Sequence, residues 1–243
     1  MNIKKISNYC LLSRQFILAK FCLMQSLVYR FLYSIISIIV PTICSCCQKY
    51  VKERTILCGA CKANIVPVIS TELKITKKQG LVVYAAGKYQ DPVKKLVLAK
   101  NWRDSLAAYE LAHIIYEHSV IKNKSFDYIV PIPLHWKRHM QRGYNQAEEI
   151  ALILSQKTGI KYVSLLQRKR ATLAQASLNA NKRFLNVKDV FVCAKNQRSW
   201  VKGKEILLVD DVMTTGATLH AAGRALLTLQ PKKISAVVAA RGR

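Results

Sequence analysis

Apolar and polar positions divide the 243-residue chain into three textures. Residues 1–40 are apolar and rich in Tyr and Ile, and read as a helical segment. Residues 41–68 carry paired cysteines, and residues 69–243 alternate between strand-like and helix-like patterns. Gly80 to Tyr89 is β-branched and aromatic with Gly87 near its end, which predicts a short hairpin or bent strand. Pro92 opens a helical pattern through Leu96. From Leu106 to His118 apolar positions recur three and four apart, with Asp104 and Ser105 placed as N-caps. Tyr128 to Pro133 reads as a buried strand entering a proline-rigid loop, and Gln146 to Gln156 as an amphipathic helix ending near Gly159. Glu205–Val209 predicts a strand, Ala217–Leu229 a helix and Ile234–Ala240 a last strand. Strand, helix, strand in that order predicts an α/β fold with a parallel sheet. No internal repeat or low-complexity stretch interrupts it.

The apolar run Phe31–Val40 lies between Arg30 and Pro41, with Lys20 and Gln25 upstream. It is short of the roughly 20 residues that a membrane span requires, so no transmembrane span is expected. Lys4 and Lys5 resemble the basic region of a signal peptide, but no small-x-small cleavage site follows Val40. A helix packed on the body, a helix on a membrane surface and a secretory signal all stay open.

A formal net charge of +26, spread over the whole length, suits phosphate-rich partners, nucleic acid among them. The same charge is also what a Lys-rich composition places on solvated faces. Of the eight cysteines, four fall into two close pairs, and a chain this long does not need disulfide staples, so a reducing cytoplasm is expected.

Cys44-x-x-Cys47 and Cys58-x-x-Cys61 are separated by ten residues. Each pair forms a knuckle turning two thiolates to one point, and two knuckles close a tetrahedral cage around structural zinc. Gly59 allows the tight turn of the second knuckle. Two disulfides or a redox pair are the alternatives, and Cys46 could replace Cys47. Cys10, Cys22 and Cys193 read as isolated apolar residues.

The pattern most charged with chemistry is Ile206-Leu207-Leu208-Val209-Asp210-Asp211-Val212-Met213-Thr214-Thr215-Gly216-Ala217-Thr218. A strand that ends at the carboxyl edge of a parallel sheet ends where ligands bind. The loop after it offers amides from Thr214 to Thr218, threonine hydroxyls, a glycine at Gly216 for close approach, and a helix N-terminus, which together hold a phosphate. Asp210 and Asp211 have the wrong sign for phosphate. They suit two sugar hydroxyls and positive charge developing on a ribose ring. A plain capped helix explains one Asp or Thr, but not the doubled acid with its threonines. A P-loop is excluded because Gly203-Lys204 is followed by Glu205. A phospho-receiver domain is excluded because only 32 residues follow Asp211.

At these residues the chain resembles the type I phosphoribosyltransferases, and from about Ile39 to Gly242 it is similar to the ComF family of competence-associated proteins. The resemblance implies a phosphoribosyltransferase-like parallel sheet of five strands flanked by helices, with a small N-terminal zinc-ribbon-like module. It implies phosphoribosyl pyrophosphate or a related sugar phosphate as ligand, with Mg2+. Pro131-Ile132-Pro133-Leu134 and Arg138 resemble the family's pyrophosphate-side loop. Arg142-Gly143-Tyr144-Asn145-Gln146 resembles its R-G-aromatic-N-Q motif: Arg142 suits bidentate phosphate contact, Gly143 allows backbone approach, and Asn145 and Gln146 could orient the ligand. The same five residues equally suit a capped helix entry. Arg168, Thr172, Gln175, Arg183 and Asn186 match a spaced pattern in the family's mobile loop, here Gln167–Lys188.

The implied reaction is displacement of pyrophosphate from ribose C1, with Asp210 and Asp211 as catalytic residues and no visible acceptor. None of His113, His118, His135, His139 or His220 stands in a catalytic spacing. A second expectation is a non-catalytic accessory of DNA uptake that engages single-stranded DNA or a helicase-like partner.

Overall fold

The computed structural model describes residues 43–51, 55–68, 70–77, 79–98, 106–134, 144–169 and 190–242. The expected N-terminal helix, the N-caps Asp104 and Ser105, and the interior of the expected mobile loop lie outside the described residues. Cys44–Lys49 and Thr55–Arg243 form one compact unit. Of the second unit, which takes in Met1–Ile43 and Tyr50–Arg54, Ile43, Tyr50 and Val51 are described, and Ile43 forms an antiparallel bridge with Tyr50.

Within the larger unit a short helix α1 (Gly59–Ala63) precedes β1 (Thr71–Lys74) and β2 (Gly80–Lys88). Helices α2 (Val93–Leu98) and α3 (Leu106–His118) follow, then β3 (Tyr128–Pro131), α4 (Gln146–Thr158) and β4 (Lys161–Tyr162). A two-stranded ribbon pairs β5 (Gln167–Arg168) with β6 (Phe191–Val192). The chain closes with α5 (Arg198–Val201), β7 (Glu205–Met213), α6 (Ala217–Leu227) and β8 (Lys233–Arg241).

The main sheet has six strands in the order β1-β2-β8-β7-β3-β4. Strands β2, β8, β7, β3 and β4 run parallel, and β1 is an antiparallel edge. The five-stranded parallel core that the family resemblance implied is therefore present. The hairpin lies between β1 and β2; Gly80–Lys88 itself is one continuous strand.

Why β7 sits at the centre follows from its side chains. Ile206, Leu207, Leu208 and Val209 are all fully buried, as in a strand covered on both faces. Ile206 and Leu208 join Ala236, Val238 and the α6 residues Leu219, Ala222 and Leu226 in one core. Leu207, Val209, Val237 and Ala239 turn the other way, and the fully buried Leu111, Ile115, Ile150 and Leu154 of α3 and α4 supply their apolar counterpart. Helix α4 carries Glu148 and Glu149 in its first turn and Lys157 in its last, as the helix dipole favours. It ends at Gly159 in the left-handed region, whose N–H donates to the Ser155 carbonyl at 2.9 Å.

Candidate functional site

The ladder between β7 and β8 continues past the apolar run, pairing Asp210 with Val238, Val212 with Ala240 and Met213 with Arg241. Asp210 and Asp211 therefore belong to the strand, which runs four residues beyond the expected end at Val209, and both are half-buried near its carboxyl end. Their backbone is self-supporting: the Asp211 N–H donates to Asp210 Oδ1 at 3.0 Å, and the Val212 N–H to Asp211 Oδ1 at 2.7 Å. Burial, reinforced by the charge of Asp211, pushes the Asp210 carboxyl well above the usual range, while the Arg168 guanidinium works in the opposite direction.

The loop after β7 leads into α6 through Gly216, at φ 76°. Gly216 was expected to let the backbone approach a ligand. Its bare Cα also makes room for Leu73 of β1, since a Cβ there would come within 2.6 Å of Leu73 Cδ1. The Thr215 hydroxyl accepts a long 3.5 Å contact from the Ala217 N–H, weak enough to yield to a better acceptor. On the other side Gly242 donates its N–H to the Met213 carbonyl at 2.8 Å, so the end of β8 braces the turn at Thr214.

Asn145 and Gln146 open α4 and are both buried. The Asn145 amide donates to the Ile132 carbonyl at 3.1 Å, which makes it a brace between the helix and the proline loop. Arg138, Arg142 and Gly143, expected on the pyrophosphate side, lie outside the described residues, as do Thr172, Gln175, Arg183 and Asn186. Arg168, the described residue of that spaced pattern, stands on β5 with its guanidinium 5.5 Å from the Phe191 ring centroid.

The sulfur atoms of Cys44, Cys47, Cys58 and Cys61 all lie within 4.8 Å of one another. Four thiolates at about 2.3 Å from one zinc would sit about 3.8 Å apart, and Cys47 Sγ and Cys58 Sγ are 3.7 Å apart. Cys46 is outside this group; its carbonyl accepts from Lys95 Nζ at 2.8 Å. Burial alone would raise the Cys44 thiol. The amides of Cys47, Cys58 and Cys46 outweigh it and bring the group down to about 6, ready to act as a thiolate ligand. Cys61 is pushed up, by burial first and then by its neighbouring thiols, and a bound cation would reverse that.

The Phosphoribosyl transferase domain family matches residues 107–243, more than half of the chain and the whole span of the acid pair and its loop. The DNA utilization protein YhgH of Salmonella typhi is 32% identical over 196 residues, covering 76% of this chain and 84% of its own. This chain is a ComF-family phosphoribosyl transferase-domain protein. Competence protein F of Haemophilus influenzae is 27% identical over 201 residues, covering 79% of this ComF chain and 87% of its own length. Competence protein ComFC of Bacillus subtilis is 36% identical over 99 residues, 41% of this chain and 38% of its own.

In this ComF chain the fold brings Asp210, Asp211 and the Thr214–Thr218 loop to the carboxyl end of β7, with Arg168 of the β5–β6 ribbon near enough for its charge to act on Asp210. Sequence reasoning missed Tyr89, which follows the end of β2. Burial and then the charge of Asp211 raise the Tyr89 phenol pKa, and its N–H donates to the Arg241 carbonyl at 2.8 Å. The signal was present as an aromatic at a strand's carboxyl end, but it gains meaning only once β2 is known to lie beside β8.

Proposed function

We propose that the protein binds phosphoribosyl pyrophosphate, with the 5-phosphate on the Thr214–Thr218 loop and the ribose hydroxyls on Asp210 and Asp211. The observation that carries this reading is the acid pair near the end of β7, followed shortly by a left-handed Gly216 that opens α6. Mg2+ would accompany phosphoribosyl pyrophosphate, with water and phosphate oxygens as most of its ligands and the acid pair nearby, and would supply charge neutralisation for the departing pyrophosphate. The chain's own part is to orient the ribose, accept its hydroxyl protons in hydrogen bonds and face the ring's developing positive charge with carboxylate oxygens. The phosphoribosyl group passes to an acceptor that no residue identifies. The four cysteines hold structural zinc, with no open position for catalysis.

The test is calorimetric titration with phosphoribosyl pyrophosphate and Mg2+, followed by pyrophosphate release across a panel of nucleobases. Micromolar binding that Asp210→Asn with Asp211→Asn abolishes, in a variant that still unfolds cooperatively, supports the reading. Equal affinity in that double variant refutes it. The net charge of +26 and the relatives named for competence and DNA utilization favour a second reading: a non-catalytic accessory that keeps the pocket and engages single-stranded DNA or a helicase-like partner. Binding without turnover on any base, together with salt-sensitive affinity for an oligonucleotide, favours the accessory.

A further inference from the structure

Three features converge on the carboxyl end of β2. The arm leaving the last thiol is built tightly, with the Asn64 N–H on the Cys61 carbonyl at 3.2 Å and the Ile65 N–H on the Lys62 carbonyl at 3.1 Å. That arm then joins the strand: the Lys88 N–H donates to the Val66 carbonyl at 3.1 Å. Beside this bond lies Gly87, where a Cβ would come within 2.9 Å of Ile65 Cγ2 and 3.3 Å of the Val66 oxygen. The absence of a side chain at Gly87 is therefore what lets the cysteine arm seat on β2. The next residue past Lys88 is Tyr89, tied by its N–H to the end of β8 and close enough to Asp211 for that charge to act on its phenol.

A second tie holds the same element from behind. Glu110 of α3 is 3% exposed, meets the Thr55 hydroxyl and pairs with Lys62 Nζ of α1 at 3.0 Å. The cysteine arm is thus clamped between α3 and β2.

We propose that Tyr89 is a further positioning residue of the sugar-phosphate site, a neutral aromatic wall beside Asp211, and that the metal-loaded cysteine arm is what holds it in place. The proposal rests on the sugar-phosphate reading above. If the arm positions the wall, zinc binding and sugar-phosphate binding favour each other, and by thermodynamic linkage each raises the other's affinity by the same factor. Tyr89 acts through ring packing, so phenylalanine retains its role and alanine does not.

The experiment uses the full chain in its zinc-loaded form, with phosphoribosyl pyrophosphate and Mg2+ as the probe. Tyr89→Ala weakens its binding about tenfold, while Tyr89→Phe stays close to wild type. Zinc affinity, read by competition with a chromogenic chelator, rises about fivefold when the wild type is saturated with the probe. Gly87→Ala and Ile65→Ala each bind both ligands but lose that enhancement; Ile65→Ala, which removes the Cγ2 that meets Gly87 without adding bulk to the strand, serves if the glycine variant fails to fold. Unchanged probe affinity in Tyr89→Ala, or a zinc affinity indifferent to the probe in the wild type, overturns the inference while leaving the sugar-phosphate reading standing. A wild type that does not bind the probe at all overturns that reading, and this inference with it.

Discussion

Replacing Gly216 by alanine asks two separate things of the turn that opens α6. The backbone there holds φ at 76°, and an L residue in the left-handed region costs roughly 1–2 kcal/mol relative to glycine. The new methyl also points at Leu73, 2.6 Å from Cδ1 and 2.9 Å from Cδ2. Leu73 is half-buried on an edge strand and can give way, which places the overpacking cost toward the lower part of the usual range of about 1–3 kcal/mol. The sum is about 2–4 kcal/mol, equivalent to a fall in melting temperature of roughly 5–15 °C for a domain of this size. The two contributions separate in a cycle. In a Leu73→Ala background the clash is gone, and Gly216→Ala then costs only the backbone share of about 1–2 kcal/mol. Urea denaturation of the four proteins measures both. A Gly216→Ala variant within about 0.5 kcal/mol of wild type, or one whose cost is the same in both backgrounds, would refute the geometry on which the loop's role depends.

Asp127 accepts from the Glu205 N–H at 2.8 Å and from Lys204 Nζ at 3.0 Å, and the backbone bond first, then the lysine, hold its carboxyl below the usual range. Its stabilisation is therefore fully present above the unfolded value near ~3.9 and is lost as pH falls through the lower folded value. Asp127→Asn should cost about 1 kcal/mol at neutral pH, and the gap between the two urea midpoints should close in strong acid. Glu110→Ala should destabilise by about 1–3 kcal/mol, because it removes a buried carboxylate and with it the charge-assisted contacts to Thr55 and Lys62; the Thr55 hydroxyl keeps the Leu57 carbonyl at 2.8 Å, and Lys62, 37% exposed, returns to water. Thermal melts check it: the variant should melt below wild type both with and without added Zn2+. For Asp210, the raised folded value means that the native state disfavours the charged form, so stability declines as pH rises from the unfolded value toward the folded one. Asp210→Asn should melt above wild type at pH 8, with the difference vanishing near pH 4, and a variant less stable than wild type across that range would contradict the shift.

Much of this site is legible in the order of residues alone. The doubled acid, the threonines and the helix start stand together in the sequence, and the two cysteine knuckles carry their own spacing. What escapes is what depends on partners distant in sequence. The apolar pattern ends at Val209 because Asp210 is polar, yet a ladder is made by backbone groups, and β8 goes on offering them as far as Arg241. Gly87 reads as a bend, although its φ needs no glycine and its true neighbour is Ile65 of the cysteine arm. Asn145 reads as a ligand contact from within its motif, and what the motif cannot reveal is that its amide also braces the Ile132 carbonyl of another loop.

The placement of both acids inside a strand, instead of in the loop beyond it, has a chemical consequence. Asp210 and Asp211 are adjacent and their carboxyls interact, yet they do not form an equivalent pair, because burial and the charge of its neighbour both fall on Asp210. Asp210 shares its register with Val238, a member of the core under α6, and there burial and its neighbour disfavour its charge. The charge of Asp211 also acts on the Tyr89 phenol. A carboxylate kept short of solvation gains most when positive charge appears beside it, and a ribose ring losing its pyrophosphate develops that charge. In the proposed reaction Asp210 is thus the acid whose environment rewards the transition state, and Asp211 the one whose wall and hydroxyl contacts fix the ring in register with it.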